Sequence, residues 1–180
     1  MARGANDARW LGAFANANGS VKAECPDPAA PVGRTPAQVA DEAARSFWDV
    51  RILPDPVLKV VPGYALTGKP VYLQIDGTRE QRFEVANPLG ADVAITAQSH
   101  YEVDWGDGSP RTTTRSNGGP WPDGDVTHTY THVSPATTIT VTQVWSATWT
   151  AGEASGNLRG LRTTGTLTMP VMQVQAVRNL

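Results

Sequence analysis

The 180-residue sequence is poor in the side chains that most often carry chemistry. It has one cysteine, Cys25, and three histidines, and charged residues make up only 18% of the chain. A single cysteine excludes an intramolecular disulfide and a cysteine-based metal cluster. Positive and negative charges nearly balance at a net charge of -2, which argues against binding of nucleic acid through its phosphates.

Long apolar runs are missing as well. No stretch approaches the roughly 20 apolar residues that a transmembrane helix needs, so we expect no membrane-spanning segment. Arg3 is basic, but no apolar signal-peptide core follows it. We therefore expect either a protein that is not secreted by that route or a start downstream of the true one.

The common catalytic patterns are also missing. The sequence contains neither a Gly-x-Ser-x-Gly nucleophile elbow nor a His-Glu-x-x-His zinc motif. His128 and His132 are four residues apart, but in a strand or turn this spacing does not converge on zinc as it does on a helix. We expect a protein that is not an enzyme and that needs no cofactor.

What the chain does contain is typical of an all-β protein. Glycine (17 residues) and proline (14 residues) supply turns, and a hydrophobic content of 40% is enough for a core. Residues 1–34 are small, polar and proline-containing, and we predict a flexible tail there. Cys25 lies in this tail, either as an exposed thiol or as an anchor or partner disulfide.

One helix is predicted after the tail. Thr35, Pro36 and Gln38 form a capping box with proline at the first helical position, and apolar residues then recur at helical spacing. The pattern predicts a short helix over 35–50. We expect it either to pack on the edge of the β domain or to act as a detachable interaction helix.

From Val57 onward the apolar period is two, as in strands. Strands are predicted at 57–61, 71–75, 81–85, 91–97, 101–104, 138–150 and 161–169. In the 138–150 strand, Gln143 interrupts the apolar face, and we expect a bulge or bend near it. We expect a return loop over 152–160 and a change of apolar phase after Pro170, toward Met172, Val174 and Ala176. Together these strands predict an antiparallel sandwich over 51–180.

A strand from Tyr101 runs into the turn formed by residues 104–109, Asp-Trp-Gly-Asp-Gly-Ser. The glycines permit positive φ, and the aspartates accept hydrogen bonds from the turn's N–H groups. His128-Thr129-Tyr130 and Ile139-Thr140-Val141 follow later. With these three motifs, the sequence resembles the PKD family of extracellular immunoglobulin-like sandwiches. The resemblance assigns seven residues to the fold motif: Asp104, Trp105, Gly106, Asp107, Gly108, His128 and Tyr130. It also implies that His128 bonds the backbone of the turn.

The whole chain is more loosely similar to actinobacterial cell-envelope proteins, in which a Cys-Pro tail and a Thr-Pro-capped helix precede a PKD-like sandwich. Cys25-Pro26 and Thr35-Pro36 fit that order. The resemblance implies an extracellular or cell-envelope location and names no activity. Val103 and Ile139 depart from the family, which usually has aromatic residues there.

Two binding sites are suggested by the loops. Four carboxylates near one end of the sandwich are calcium-ligand candidates, the alternative being that they only form turns: Asp104, Asp107, Asp123 and Asp125. The long loop 110–125 is the recognition candidate. Its candidate binding residues are Arg111, Arg115, Asn117, Trp121 and Asp123.

The tryptophans leave alternatives open. Trp121, between two prolines, is either an outward platform for a sugar or peptide, with Tyr101 as a second ring, or a lid folded back on the sandwich. Trp145 and Trp149 share one strand face and are either a glycan-binding ladder or core, and their face favours core. We therefore expect an interaction or spacer module that contacts proteins at the bacterial cell surface. The alternatives are a module that binds cell-wall glycan through Trp121 and a structural subunit of a larger surface assembly.

Overall fold

The computed structural model describes residues 33–87, 90 and 92–174, together with two short strands nearer the start of the chain. The chain divides into two compact units, 1–34 and 35–180. In the first, β1 (Phe14–Ala15) pairs antiparallel with β2 (Val21–Lys22). Most of the predicted tail over 1–34, with Cys25, lies outside the described residues.

The described residues of the second unit form one helix and nine strands. The helix is α1 (Pro36–Asp49). The strands are β3 (Val57–Val60), β4 (Ala65–Leu66), β5 (Pro70–Asp76), β6 (Glu80–Val85), β7 (Val93–Asp104), β8 (Thr112–Thr114), β9 (Thr127–Thr129), β10 (Ser134–Ala151) and β11 (Ala154–Met172). This unit is mostly β with one short helix, as the sequence predicts.

The larger sheet has the strand order β4-β11-β10-β7-β6, and β8 pairs with β7 beside β6. All its pairings are antiparallel except the parallel pair of β4 and β11. The β10–β11 hairpin closes through Gly152 and Glu153 alone, since Ala151 already pairs with Ala154. The predicted return loop over 152–160 is therefore wrong, because most of it is the start of β11.

A smaller antiparallel sheet, β3-β5-β9, covers one half of the larger sheet's inner face. The two sheets enclose a core that combines residues of both: Leu73, Ile75, Tyr101, Val103, Trp105, Tyr130, Ile139 and Val141. The alternation predicted for β5 is confirmed, because Val71, Leu73 and Ile75 are all buried. This half of the unit positions the loops discussed below.

The helix covers the other half of the same face. Its capping box is confirmed: the Thr35 hydroxyl accepts a hydrogen bond from Gln38 N, and the Gln38 side chain accepts one from Thr35 N. Trp48 is 1% exposed and donates from Nε1 to the carbonyl of Arg159, 3.3 Å away. The helix thus forms a second core with the sheet, which contains Val93, Ile95, Trp145 and Trp149.

Gln143 lies on β10 between the residues of these two cores. Its Nε2 donates to Thr78 O at 2.9 Å and to Ser99 Oγ at 2.8 Å, so its burial leaves no amide N–H unpaired. The β7–β10 register continues past it without interruption. The expected bulge is nearby but on the other strand: between Arg159 and Arg162, β11 carries one residue more than β10 opposite it.

Two further expectations about the strands are wrong. After Pro170 the apolar phase does not change, since Val171 is buried while Met172 and Val174 are 42% and 72% exposed; Ala176 lies outside the described residues. The predicted strands at 91–97 and 101–104 are one strand, β7, because the intervening residues also pair with β10. Among the described residues, no helix is long and apolar enough to cross a membrane.

Candidate functional site

The turn after β7 forms as the sequence predicts. Asp104 Oδ1 accepts a hydrogen bond from Gly106 N, and Asp107 Oδ1 accepts one from Ser109 N, both at 3.0 Å. Gly106 and Gly108 have φ of 74° and 82°, which glycine adopts without steric cost. The carboxylates therefore serve the turn itself.

His128 joins this turn to β9. Its Nε2–H donates to Asp107 Oδ2 across 2.7 Å, and its ring stacks on Trp105 with 4.8 Å between centroids. The expectation that His128 bonds turn backbone is wrong, since its partner is a carboxylate. Tyr130 completes the cluster: its hydroxyl donates to Trp105 O at 3.0 Å. Because Asp107, His128 and Tyr130 all bond within the fold, the cluster is structural.

Hydrogen bonds within this cluster stabilise the charged form of Asp107. Partial burial alone would raise the pKa of its carboxyl, but hydrogen bonds from Ser109 and His128 outweigh burial and lower the pKa to about 2. Burial also raises the pKa of the Tyr130 hydroxyl, with the Asp107 charge adding to the effect. Asp107 is thus an acceptor at neutral pH, not a proton donor.

The four calcium candidates do not form one group. Asp104 Oδ2 lies 3.3 Å from Arg111 Nε, Asp107 is bound to His128, and Asp125 Oδ1 accepts from Ser116 Oγ at 2.7 Å. Within 33–87, 90 and 92–174, no three His, Cys, Asp or Glu side chains are placed to hold a metal ion. Asp104, Asp107 and Asp125 thus have turn or loop partners, and the arrangement gives the calcium prediction no support.

The five candidates in the loop 110–125 lie in different places. Arg111 pairs with Asp104, and Arg115 follows β8 at the sheet surface. Asn117 fixes the base of the loop: its Nδ2 donates to the carbonyls of Ile75 and Gly77, at 2.8 and 2.9 Å. Asn117 is therefore a structural residue. Only Trp121 and Asp123 remain at the exposed tip.

Close backbone contacts hold this tip against the smaller sheet. A Cβ added to Gly118 would lie 1.9 Å from the carbonyl of Leu73, and one added to Gly124 would lie 2.2 Å from that of Gly119. Gly124 N also donates to Pro120 O at 2.9 Å. The loop is thus a compact support for the residues at its tip. Positions 118 and 124 require glycine, because a Cβ at either would meet backbone atoms.

Trp121 projects from this support and is 73% exposed. The alternative in which the Trp121 ring folds back on the sandwich as a lid is therefore wrong. With neighbours from the smaller sheet and the loop before β4, Trp121 lines a pocket of about 190 Å³. We define the Trp121 surface by the following residues of that pocket: Val61, Pro62, Tyr64, Lys69, Tyr72 and Trp121.

Sequence reasoning missed the other members of this surface. Val61 is 58% exposed and Tyr64 is 37% exposed, so apolar area is shared by several side chains. The signal was present, because Val61-Pro62-Gly63-Tyr64 places two large side chains around a turn. What the sequence did not show is that this turn and the loop tip meet across β5.

The other aromatic candidates are core. Trp145 and Trp149 are 1% and 3% exposed, which confirms the core alternative. Tyr101 is fully buried, and its hydroxyl lies 3.5 Å from Asn117 Nδ2. The expectation that Tyr101 assists Trp121 in binding is wrong, because its ring points into the space between the sheets.

No family model, curated protein or solved structure matches the chain.

Proposed function

We propose that this chain is a non-enzymatic module of the PKD type that binds a protein partner at the bacterial cell surface through the Trp121 surface. The observation that carries the proposal is Trp121 itself, a large apolar side chain that is 73% exposed on a loop supported by close backbone contacts. Such rings are common binding hot spots, since they supply area at low entropic cost.

Burying the Trp121 side chain against a partner would release enough free energy to contribute to recognition. Covering about 150 Å² of a tryptophan removes apolar area worth roughly 4 kcal/mol in transfer free energy. Association costs consume part of this, so neighbouring contacts are needed. Val61, Tyr64 and Tyr72 provide them in the same pocket.

The pocket's chemistry favours a peptide segment over a sugar. Its described lining residues are mainly apolar and aromatic, and Lys69 is the one charged residue among them. A sugar presents hydroxyl groups that lose water on binding and need polar partners. An apolar or proline-rich segment needs fewer, and aromatic-lined grooves are a common site for such segments.

Glycan binding remains the second candidate, and the exposed ring of Trp121 favours it, because sugars stack on open aromatic faces. A third candidate, a structural subunit of a larger surface assembly, rests on the same exposed apolar side chains. Both give different results from the protein-partner proposal in the experiments below.

The PKD-type sandwich is part of the proposal. Two sheets with Trp105 and Tyr130 in the core between them support it, and so does the Asp107–His128 bond between the turn and β9. The non-enzymatic role is supported by the same groups, since each is bonded within the fold. The extracellular or cell-envelope location rests on the resemblance alone, and protease treatment of intact cells tests it, with loss of the protein supporting surface exposure.

The binding role is tested by selection. A displayed peptide library is selected on the wild-type protein and counter-selected on Trp121→Ala, and both proteins are applied to a glycan array. We expect peptides that bind the wild type and lose at least tenfold in affinity on Trp121→Ala, about 1.4 kcal/mol. Glycans that depend on Trp121, with no such peptides, would establish the second candidate instead. Self-association lost in Trp121→Ala would establish the assembly role.

A further inference from the structure

The outer face of the larger sheet, opposite both cores, carries a pattern that the Trp121 surface does not include. Residues that pair across β7, β10 and β11 bring side chains into rows on this face. One row is Gln98, Ser146 and Arg159, and the next is His100, Val144 and Arg162. Arg115 follows β8 directly, beside the second row.

These rows lie in a concave part of the face. Two adjoining cavities of about 530 and 650 Å³ share Gln98, His100, Arg115 and Ser146 as lining residues. The larger one extends to Arg159 and Arg162 on β11. We call this region the outer groove and define it by these six residues.

Positive charge is concentrated in the outer groove. Among the described residues that line the two cavities there are four arginines, Arg79, Arg115, Arg159 and Arg162, and one carboxylate, Glu80. Glu102 offsets part of this excess, since it lies 3.2 Å from Arg162. The chain as a whole carries a net charge of -2, so the excess is local.

Of these four arginines, two are held by partners within the protein, and the other two are available to a ligand. Arg79 Nε donates to Asn117 Oδ1 at 2.8 Å, and Arg162 faces Glu102. Arg115 and Arg159 are exposed, and their guanidinium groups have no partner among the residues that the structure describes. Guanidinium groups bind carboxylates and phosphates through two parallel hydrogen bonds.

The rest of the lining indicates what carries the anionic group. Hydroxyl and amide side chains line the same cavity as the arginines: Thr96, Gln98, Ser146, Thr148 and Asn157. Such groups exchange hydrogen bonds with sugar hydroxyls. Trp145, which lines the larger cavity, is 1% exposed. The imidazole of His100 is then the one open ring among these described lining residues, whereas proteins that bind single-stranded nucleic acid stack successive bases on several aromatic side chains.

We propose that the outer groove binds an anionic glycan, a carbohydrate polymer that carries carboxylate or phosphate groups held by Arg115 and Arg159. This site is separate from the Trp121 surface, and no residue belongs to both. Glycan binding in the outer groove can therefore be tested independently of protein binding at the Trp121 surface.

The test is calorimetric titration of the whole protein with two anionic glycans, polygalacturonate for carboxylate and phosphomannan for phosphate. Neutral dextran and single-stranded DNA serve as comparisons. We expect one or both anionic polymers to bind, with affinity falling as salt rises, and dextran not to bind. Which polymer binds identifies the anionic group.

Variants locate the site. Arg115→Gln combined with Arg159→Gln removes two charge-assisted contacts, and we expect a loss of about a hundredfold in affinity for the polymer that binds. The matched control, Arg45→Gln with Arg111→Gln, removes the same charge outside the groove and should change affinity no more than about twofold. Trp121→Ala should leave the affinity unchanged.

The proposal is overturned if neither anionic polymer binds, or if both double variants lose affinity equally, since net charge alone would then explain binding. Tighter binding of single-stranded DNA than of either polymer would also overturn it. Urea unfolding of each variant checks that the substitutions leave the fold intact, and Arg115→Lys with Arg159→Lys, which keeps the charge, should recover part of the affinity.

Discussion

The bond between Asp107 and His128 yields a stability change with a defined pH dependence. The perturbation is Asp107→Asn, which keeps the side chain's shape and removes its charge. The pKa of the Asp107 carboxyl falls from its ordinary value of 3.8 to about 2 in the folded protein. A change of this size corresponds to about 2.4 kcal/mol, at roughly 1.36 kcal/mol for each tenfold change in the acid constant.

Solvent reduces that figure. The Asp107 side chain is 26% exposed, so water and salt screen the interaction, and we expect a loss of about 1 to 1.5 kcal/mol. Because the folded pKa lies below the unfolded one, the stabilisation is complete above about pH 5 and is lost as the pH falls through 3.8 toward 2. By pH 2 the difference in unfolding free energy between wild type and variant should shrink to about a sixth of its value at pH 7.

The assay is urea unfolding followed by tryptophan fluorescence, at pH 7 and at steps between pH 5 and pH 2. Asp123→Asn is the matched control, since Asp123 is exposed at the loop tip and its neutralisation should change stability by less than about 0.5 kcal/mol. The reasoning is refuted if Asp107→Asn is as stable as wild type at pH 7. It is also refuted if the difference between the two proteins stays constant down to pH 2.

Three further substitutions test the packing by urea unfolding. Gly106→Ala should cost at least about 2 kcal/mol more than Gly108→Ala, because both glycines have positive φ but only the Cβ at 106 meets backbone, at 2.3 Å; equal costs would contradict this contact. Gln143→Leu should destabilise by about 1 to 2 kcal/mol although leucine is more apolar, since it removes two buried hydrogen bonds, and a gain in stability would contradict that role. Trp48→Ala should lower the unfolding free energy by about 3 to 5 kcal/mol and raise the rate of amide hydrogen exchange over 36–49. Unchanged exchange would contradict the role of Trp48 in holding the helix on the sheet.

Much of the fold was readable from local sequence signals. The capping box at Thr35 and the alternation in β5 and β10 depend on neighbours in the chain, and each was predicted correctly. The glycines and aspartates of the turn at 104–109 act within a few residues, so their hydrogen bonds were also predictable. The burial of Trp145 followed from the apolar residues that share its face.

The errors concern long-range pairing. The bulge near Gln143 lies on β11, because strand register depends on both partners and not on the residue that interrupts one pattern. His128 was assigned to backbone, since nothing local shows that Asp107 lies 2.7 Å from it. The Trp121 surface and the outer groove each combine residues from distant segments, so neither was visible as a motif.

The central claim is that Trp121 serves binding and not folding. The most direct measurement compares wild type and Trp121→Ala in two quantities, the free energy of unfolding and the affinity for a peptide selected on the wild type. We predict that the unfolding free energy changes by less than about 0.5 kcal/mol while the affinity falls at least about tenfold. An unchanged affinity, or a loss of stability comparable to that of a buried tryptophan, would contradict the account.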